Sequence, residues 1–153
     1  MAKYAQATTV SSEKSRAEIE ATLRRYGATS FMYGTSERRA VIAFEAFERR
    51  VKFELPLPSQ LDVEFVMTPG GRRTRTTAQA VAAWEQACRQ KWRALALCIK
   101  AKLEAVESGI TTFEAEFLAH IVLPNGRTVH DEVSPAMALA YSTGKVVPLL
   151  EKF

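Results

Sequence analysis

Three arginines, Arg72, Arg73 and Arg75, fall within four positions in the run Met67-Thr-Pro-Gly-Gly-Arg-Arg-Thr-Arg-Thr-Thr77. Guanidinium groups are permanently charged and carry a rigid fork of N–H donors, which suits oxyanions such as phosphates and carboxylates. Pro69, Gly70 and Gly71 make the run a loop, so it reads as a flexible cationic arm over 68–77. Two further basic patches flank a predicted hairpin: Arg38 and Arg39 at its entry, and Arg49, Arg50 and Lys52 beyond its turn. If the arm and one hairpin end lie together, several phosphates could be gripped at once, with affinity falling steeply as salt rises. Arg89, Lys91, Arg93, Lys100 and Lys102 either extend that track or solvate a helix. The same groups would serve equally against an acidic protein surface. Phe47, at the predicted hairpin tip, would stack on a base, fill a partner's pocket, or fold back into the core.

Acid–base or metal chemistry would have to draw on His120, His130, Asp131 and Glu132, because His120 and His130 are the only histidines. The Asn125-Gly126 pair signals a two-residue turn. Closure on that pair sets Pro124 opposite Arg127, Ile121 opposite His130 and His120 opposite Asp131. His120 and Asp131 then share a side of the ribbon while His130 points away. Two ligands on one face fall short of a zinc site. Nucleophile signals are also weak: there is no Gly-x-Ser-x-Gly elbow, and Cys88 sits on a helical apolar spine. Gly70-Gly71 leads into arginine rather than Gly-Lys-Ser/Thr, so it is no phosphate-cradling Walker loop. Glu45, Glu48 and Glu54 would suit a nuclease only with a signature that is missing. The sequence therefore predicts neither a catalytic site nor a cofactor, and a small nuclease or hydrolase ranks third among its readings.

Composition bounds the problem more firmly. A chain of 153 residues, 47% hydrophobic and 25% charged, supports one ordinary core and excludes disordered and fibrous classes. No apolar run approaches the ~20 residues that cross a bilayer. The start, Met1-Ala-Lys-Tyr-Ala-Gln, lacks the apolar stretch of a signal peptide, and we expect a cytoplasmic protein with no membrane partner. Cys88 and Cys98 lie ten positions apart on one predicted helix, about 15 Å along its axis, too far for a disulfide. The net charge of +4 is concentrated before residue 109, and the last 45 residues are net negative. Such a layout suits an anionic partner.

The elements that must position these residues follow from periodicity. Residues 1–10 read as a short strand or tail. Ser11-Ser12 opens a helix whose stripe is Ile19, Leu23 and Tyr26, ended by Gly27. Strands follow at Phe31–Tyr33, Ala40–Phe44 and Val51–Leu55, the last two joined near Ala46–Arg49. Leu61–Met67 reads as a fourth, edge strand. A long helix runs from about Thr77 to Ser108 along Val81, Trp84, Cys88, Trp92, Leu95, Ile99, Leu103 and Val106. Its ~45 Å length exceeds what one small sheet needs, so part of it should pack on a second subunit or on the C-terminal segment. Thr111 with Glu114 opens a short helix, the 120–130 hairpin follows, and Ser134-Pro135 starts a last helix ending at Gly144.

The stretch Ile99 to Thr128, including Phe-Glu-Ala-Glu-Phe-Leu-Ala-His-Ile-Val-Leu-Pro-Asn-Gly-Arg, resembles a segment of small proteins encoded by phages and prophages. The likeness continues through Tyr141–Leu150 and, more loosely, Ser11–Pro58. It implies a mobile-element origin and carries over no catalytic residue. The order helix, three strands, helix is also similar to that of double-stranded-RNA-binding domains, although the ~20-residue link and the long second helix depart from it. Strands followed by a long helix are likewise seen in single-strand annealing proteins. Neither topology licenses a function.

These readings converge on one α+β domain over 1–153: an antiparallel sheet of three to four strands, covered by an N-terminal helix and one long helix, with a C-terminal helix–hairpin–helix segment. The expected function is nucleic-acid binding without catalysis, DNA ahead of RNA, by a homo-oligomer. The alternative is an inhibitor or adaptor directed at a host defence or replication complex.

Overall fold

A computed structural model describes residues 4–150; part of the predicted N-terminal strand or tail (1–3) and residues 151–153 lie outside the described residues. Helix α1 spans Ser12–Arg25 and is capped by Ser11, whose hydroxyl accepts from Lys14 N at 3.1 Å. It buries Ser15, Ile19 and Leu23. Strands β1 (Ser30–Thr35), β2 (Arg39–Ala46) and β3 (Arg49–Pro56) form an antiparallel sheet in the order 1-2-3. The register sets Ile42 opposite Phe53 and Phe44 opposite Val51. Alternation then sends Ala40, Ile42, Phe44, Ala46, Val51, Phe53 and Leu55 to one buried face. Phe47 and Glu48 turn the β2–β3 hairpin with φ of 51° and 60°, the left-handed pair of a type I′ turn.

Helix α3 (Thr77–Glu107) crosses that buried face beside α1. Thr76 and Gln79 cap it reciprocally, with each side chain bonded to the other's backbone N–H at 3.2 and 3.1 Å. Its buried residues are Trp92, Leu95, Ile99 and Leu103, four of the eight predicted spine positions, together with Ala96. No residue of α3 before Trp92 is buried, yet both ends of the helix meet other elements of the chain. Toward the N-terminus it meets helix α2 (Val63–Val66), with Phe65 buried and Trp84 Nε1 donating to Pro58 O at 2.8 Å. At the other end it meets helix α4 (Phe113–Phe117), whose Phe113 and Phe117 join the core. Of the two predicted partners for the over-long helix, the C-terminal segment is seen against it, through α4.

Three expectations are corrected. Leu61–Met67 is a loop and α2, not an edge strand, because Pro56 and Pro58 take the chain off the sheet. The edge beside β3 is taken instead by the C-terminal segment, where Ile121 bridges Val51 and Val122 N donates to Arg50 O at 2.8 Å. The short C-terminal helix is capped by Thr112 rather than Thr111.

The third correction concerns residues 120–130. Leu123 N donates to Arg127 O and Gly126 N to Leu123 O, both at 2.8 Å, with Gly126 at φ 85°. The loop therefore holds three residues, Pro124-Asn125-Gly126, not two. Two-residue closure would have required an N–H from Pro124, which it lacks. The ribbon shifts by one position, pairs Val122 with Thr128, and ends there. Thr128 and Asp131 form a capping box that starts helix α5 at Val129, running to Thr143. Pro135 consequently lies inside α5 instead of opening it. The Asp131 carbonyl that Pro135 cannot serve accepts from Arg127 Nη2 at 3.0 Å.

Candidate functional site

The 68–77 segment is not a free arm. Gly71 N donates to Thr68 O at 2.9 Å across a turn with Pro69 second and Gly70 third at φ 87°, the dihedral preference of a type II turn. Thr68 N then donates to Arg73 O at 2.8 Å, and Arg75 N to Val66 O at 2.7 Å. Arg73 N also donates to the Thr68 hydroxyl at 3.2 Å. The result is a small closed loop set between α2 and α3.

Its arginines have divided roles. Arg75 turns inward and donates to Glu64 O at 3.1 Å and Phe65 O at 3.5 Å, tying the loop to α2. Arg72 and Arg73 are exposed and form no ion pair among the described residues. Beside α2, Arg38 donates through both terminal nitrogens to Asp62 Oδ1 at 3.3 Å. Asp62 also accepts from Ser59 N at 3.0 Å, which fixes the 57–62 loop next to the β1–β2 turn. Arg39, the first residue of β2, reaches Glu54 at 3.9 Å. Arg38, Arg39, Arg72, Arg73 and Arg75 thus share one rim of the molecule, at the open end of the β2–β3 hairpin.

Arg49 and Arg50 do not belong to it. They lie at the turn end of the same hairpin, seven residues and roughly 23 Å along β2 at ~3.3 Å per residue. Arg49 is paired with Glu114 at 2.9 Å and holds α4 to the hairpin, while Arg50 pairs with Glu45 at 3.2 Å. Lys52, on the open face between the ends, pairs with Glu54 at 3.6 Å. The eight-residue basic set predicted from sequence is therefore split, and its largest uncommitted charge is the Arg72–Arg73 pair. On α3, Arg93 and Lys102 are likewise paired, with Glu18 and Glu116.

Phe47 leans on Phe113 with ring centroids 5.0 Å apart, although its other face is open. His120 stacks on Phe53 at 4.0 Å. Burial, reinforced by the charge of Lys102, pushes its pKa below the ordinary 6.5, which favours the neutral ring. Asp131 is committed to the α5 cap, and its hydrogen bonds with Thr128 hold its carboxyl below the usual range. The expected His120–Asp131 pairing is lost with the register shift. Among the described residues no group of three His, Cys, Asp or Glu could hold a metal ion. Cys88 is half-buried, and burial raises its pKa, which favours the thiol over the nucleophilic thiolate.

Sequence reasoning missed one groove, of about 720 Å³, between the start of α1, residues 35–37, the 57–61 loop and α3. Trp84 and Trp92 line its wall, and Arg16 stacks on Tyr33 and Trp92 at 5.1 and 5.0 Å. Its charges are mixed, with Glu13, Glu37 and Glu85 set against Arg16 and Arg89. The i, i+4 recurrence of Trp84, Cys88 and Trp92 placed these side chains on one line. The second wall comes from loops whose path no periodicity describes.

Fold and rim define an α+β protein with an antiparallel three-stranded sheet and an arginine-rich edge. Compared with family models, curated proteins and solved structures, the chain matches none. Among the described residues no helix is long and apolar enough to cross a membrane.

Proposed function

We propose that this protein binds nucleic acid through its phosphate backbone, using Arg72 and Arg73 as primary contacts and Arg38 and Arg39 as rim contacts. The observation that carries this reading is the closed loop, which presents two adjacent guanidinium groups with no carboxylate of their own. A backbone held by its own hydrogen bonds presents them with little ordering cost on binding. Arg38 and Arg39 are bonded to exposed or half-exposed carboxylates, and such pairs are worth roughly 1 kcal/mol or less. A phosphate can compete for them.

The geometry also limits the affinity. Two uncommitted cations neutralise about two phosphates, so binding to a duplex should fall only about tenfold between ~50 and ~200 mM salt. The test is fluorescence anisotropy of labelled single- and double-stranded DNA and RNA. Arg72→Ala with Arg73→Ala should abolish binding, whereas Arg49→Ala with Arg50→Ala should leave it within about twofold. A complex that ignores the loop substitutions sinks the proposal. The second reading, an inhibitor or adaptor directed at a host protein, uses the same loop against an acidic surface. The exposed apolar residues Leu61 and Val63 beside the rim favour it. It becomes the better account if no oligonucleotide binds at low salt.

A further inference from the structure

The groove between α1, residues 35–37, the 57–61 loop and α3 is walled by two indoles in different states. Trp92 is buried, and Arg16 already stacks on its ring. Trp84 is half-buried, and its Nε1 already donates to Pro58 O at 2.8 Å. Among the described residues it stacks on no other ring and no cation. An indole held in this way, with its polar atom satisfied, offers the groove a flat apolar surface. The volume of about 720 Å³ lies within the range of small-ligand sites. Three carboxylates, Glu13, Glu37 and Glu85, are set against two guanidinium groups, Arg16 and Arg89, so the lining is net negative. It disfavours a phosphate and accepts a neutral planar group. The groove also runs into the arginine rim. Ser36 and Glu37 directly precede Arg38, and Gln60 and Leu61 directly precede Asp62, to which Arg38 is bonded. Trp84 lies seven residues beyond Thr77, about 10 Å along α3 from the end of the arginine loop.

We propose that this groove takes an unpaired, amine-bearing nucleobase, stacked on Trp84, from a single strand whose phosphates lie on the arginine rim. The inference rests on the nucleic-acid reading above and narrows its ligand to single strands. In a duplex each base is stacked on both faces and its pairing edge is occupied, so no base reaches the groove. Stacking on an aromatic side chain tolerates any base, and the carboxylates add the preference. Glu85 is exposed and has no ion pair among the described residues. Glu37 accepts from the Ser59 hydroxyl at 3.4 Å and is otherwise open. Carboxylates accept hydrogen bonds and donate none, so they suit the exocyclic amine of cytosine and not the carbonyl edge of thymine.

Intrinsic fluorescence reads the contact directly, because Trp84 and the buried Trp92 are the only tryptophans. Oligo-dC of about 12 nucleotides, within the span of one single-strand site, should quench the emission at low salt. A duplex of the same length should bind without quenching. Trp84→Leu should weaken oligo-dC binding by anisotropy at least about fivefold, the low end for one stacked base. Its duplex binding through the arginine loop should persist, which also shows that the variant is folded. Oligo-dT should bind wild type about fivefold more weakly than oligo-dC. Duplex binding with no quenching by oligo-dC, unaltered oligo-dC affinity in Trp84→Leu, or oligo-dT bound as tightly as oligo-dC overturns this inference and leaves the arginine rim standing. No binding of either single strand or duplex overturns the nucleic-acid reading and this inference together.

Discussion

The Ser15 hydroxyl is fully buried in α1 and has no hydrogen-bond partner among the described residues. An unmade bond in an apolar site costs about 1–3 kcal/mol, so Ser15→Ala should raise stability by about 1 kcal/mol in urea unfolding. No change, or a loss, would mean that the hydroxyl has a role that the packing does not reveal. Glu48 is a second cost, since its φ of 60° strains an L-residue where glycine is at ease. Glu48→Gly should stabilise the hairpin by about 1 kcal/mol. His120 sets a pH dependence of definite sign. Its pKa is lowered in the folded state, chiefly by burial, so the fold favours the neutral ring. That contribution is fully present above the ordinary value of 6.5 and is lost as pH falls from there through the lower folded-state value. Stability should decline as pH falls below about 6.5 toward the lower folded-state value, and His120→Phe, which preserves the contact with Phe53, should flatten that decline. A variant with an unaltered pH profile would remove His120 as the cause.

At the scale of elements, regular pieces were legible in the sequence and their junctions were not. The stripe in α1, the alternation in β2 and β3 and the spine of α3 each depend on a period that one residue after another repeats. Boundaries of α1 and α3 follow from the caps at Ser11 and Thr76. The misread junctions turn on non-local choices. Leu61–Met67 has strand-like residues, but the sheet edge it would occupy belongs to Ile121, sixty residues on. Asn125-Gly126 is a strong turn signal, and the missing N–H of Pro124 overrides it. Ser134-Pro135 looks like a helix start, and the Thr128–Asp131 box starts the helix six residues earlier. Pro135 inside α5 then costs up to ~3 kcal/mol of local helix stability, which the Arg127 bond to the freed Asp131 carbonyl partly offsets. Pro135→Ala should therefore slow hydrogen exchange throughout α5, and Arg127→Ala should speed it in the first two turns. Exchange in α5 that is indifferent to both changes would contradict this account of the helix.

At the scale of the whole molecule, the basic residues were identifiable and their grouping was not. Nothing in the spacing shows that Arg38 meets Asp62 or that Arg49 is committed to Glu114. Those pairings reduce the predicted eight-residue surface to a five-arginine rim with two uncommitted charges. The central claim, that Arg72 and Arg73 are the charge that meets nucleic acid, is tested most directly by the slope of log K against log salt on a short duplex. We predict a value near −2 for the wild type, no measurable binding when Arg72 and Arg73 are both alanine, and an unchanged slope when Arg49 and Arg50 are. A slope that survives loss of the loop arginines, or no binding at ~50 mM salt, contradicts it.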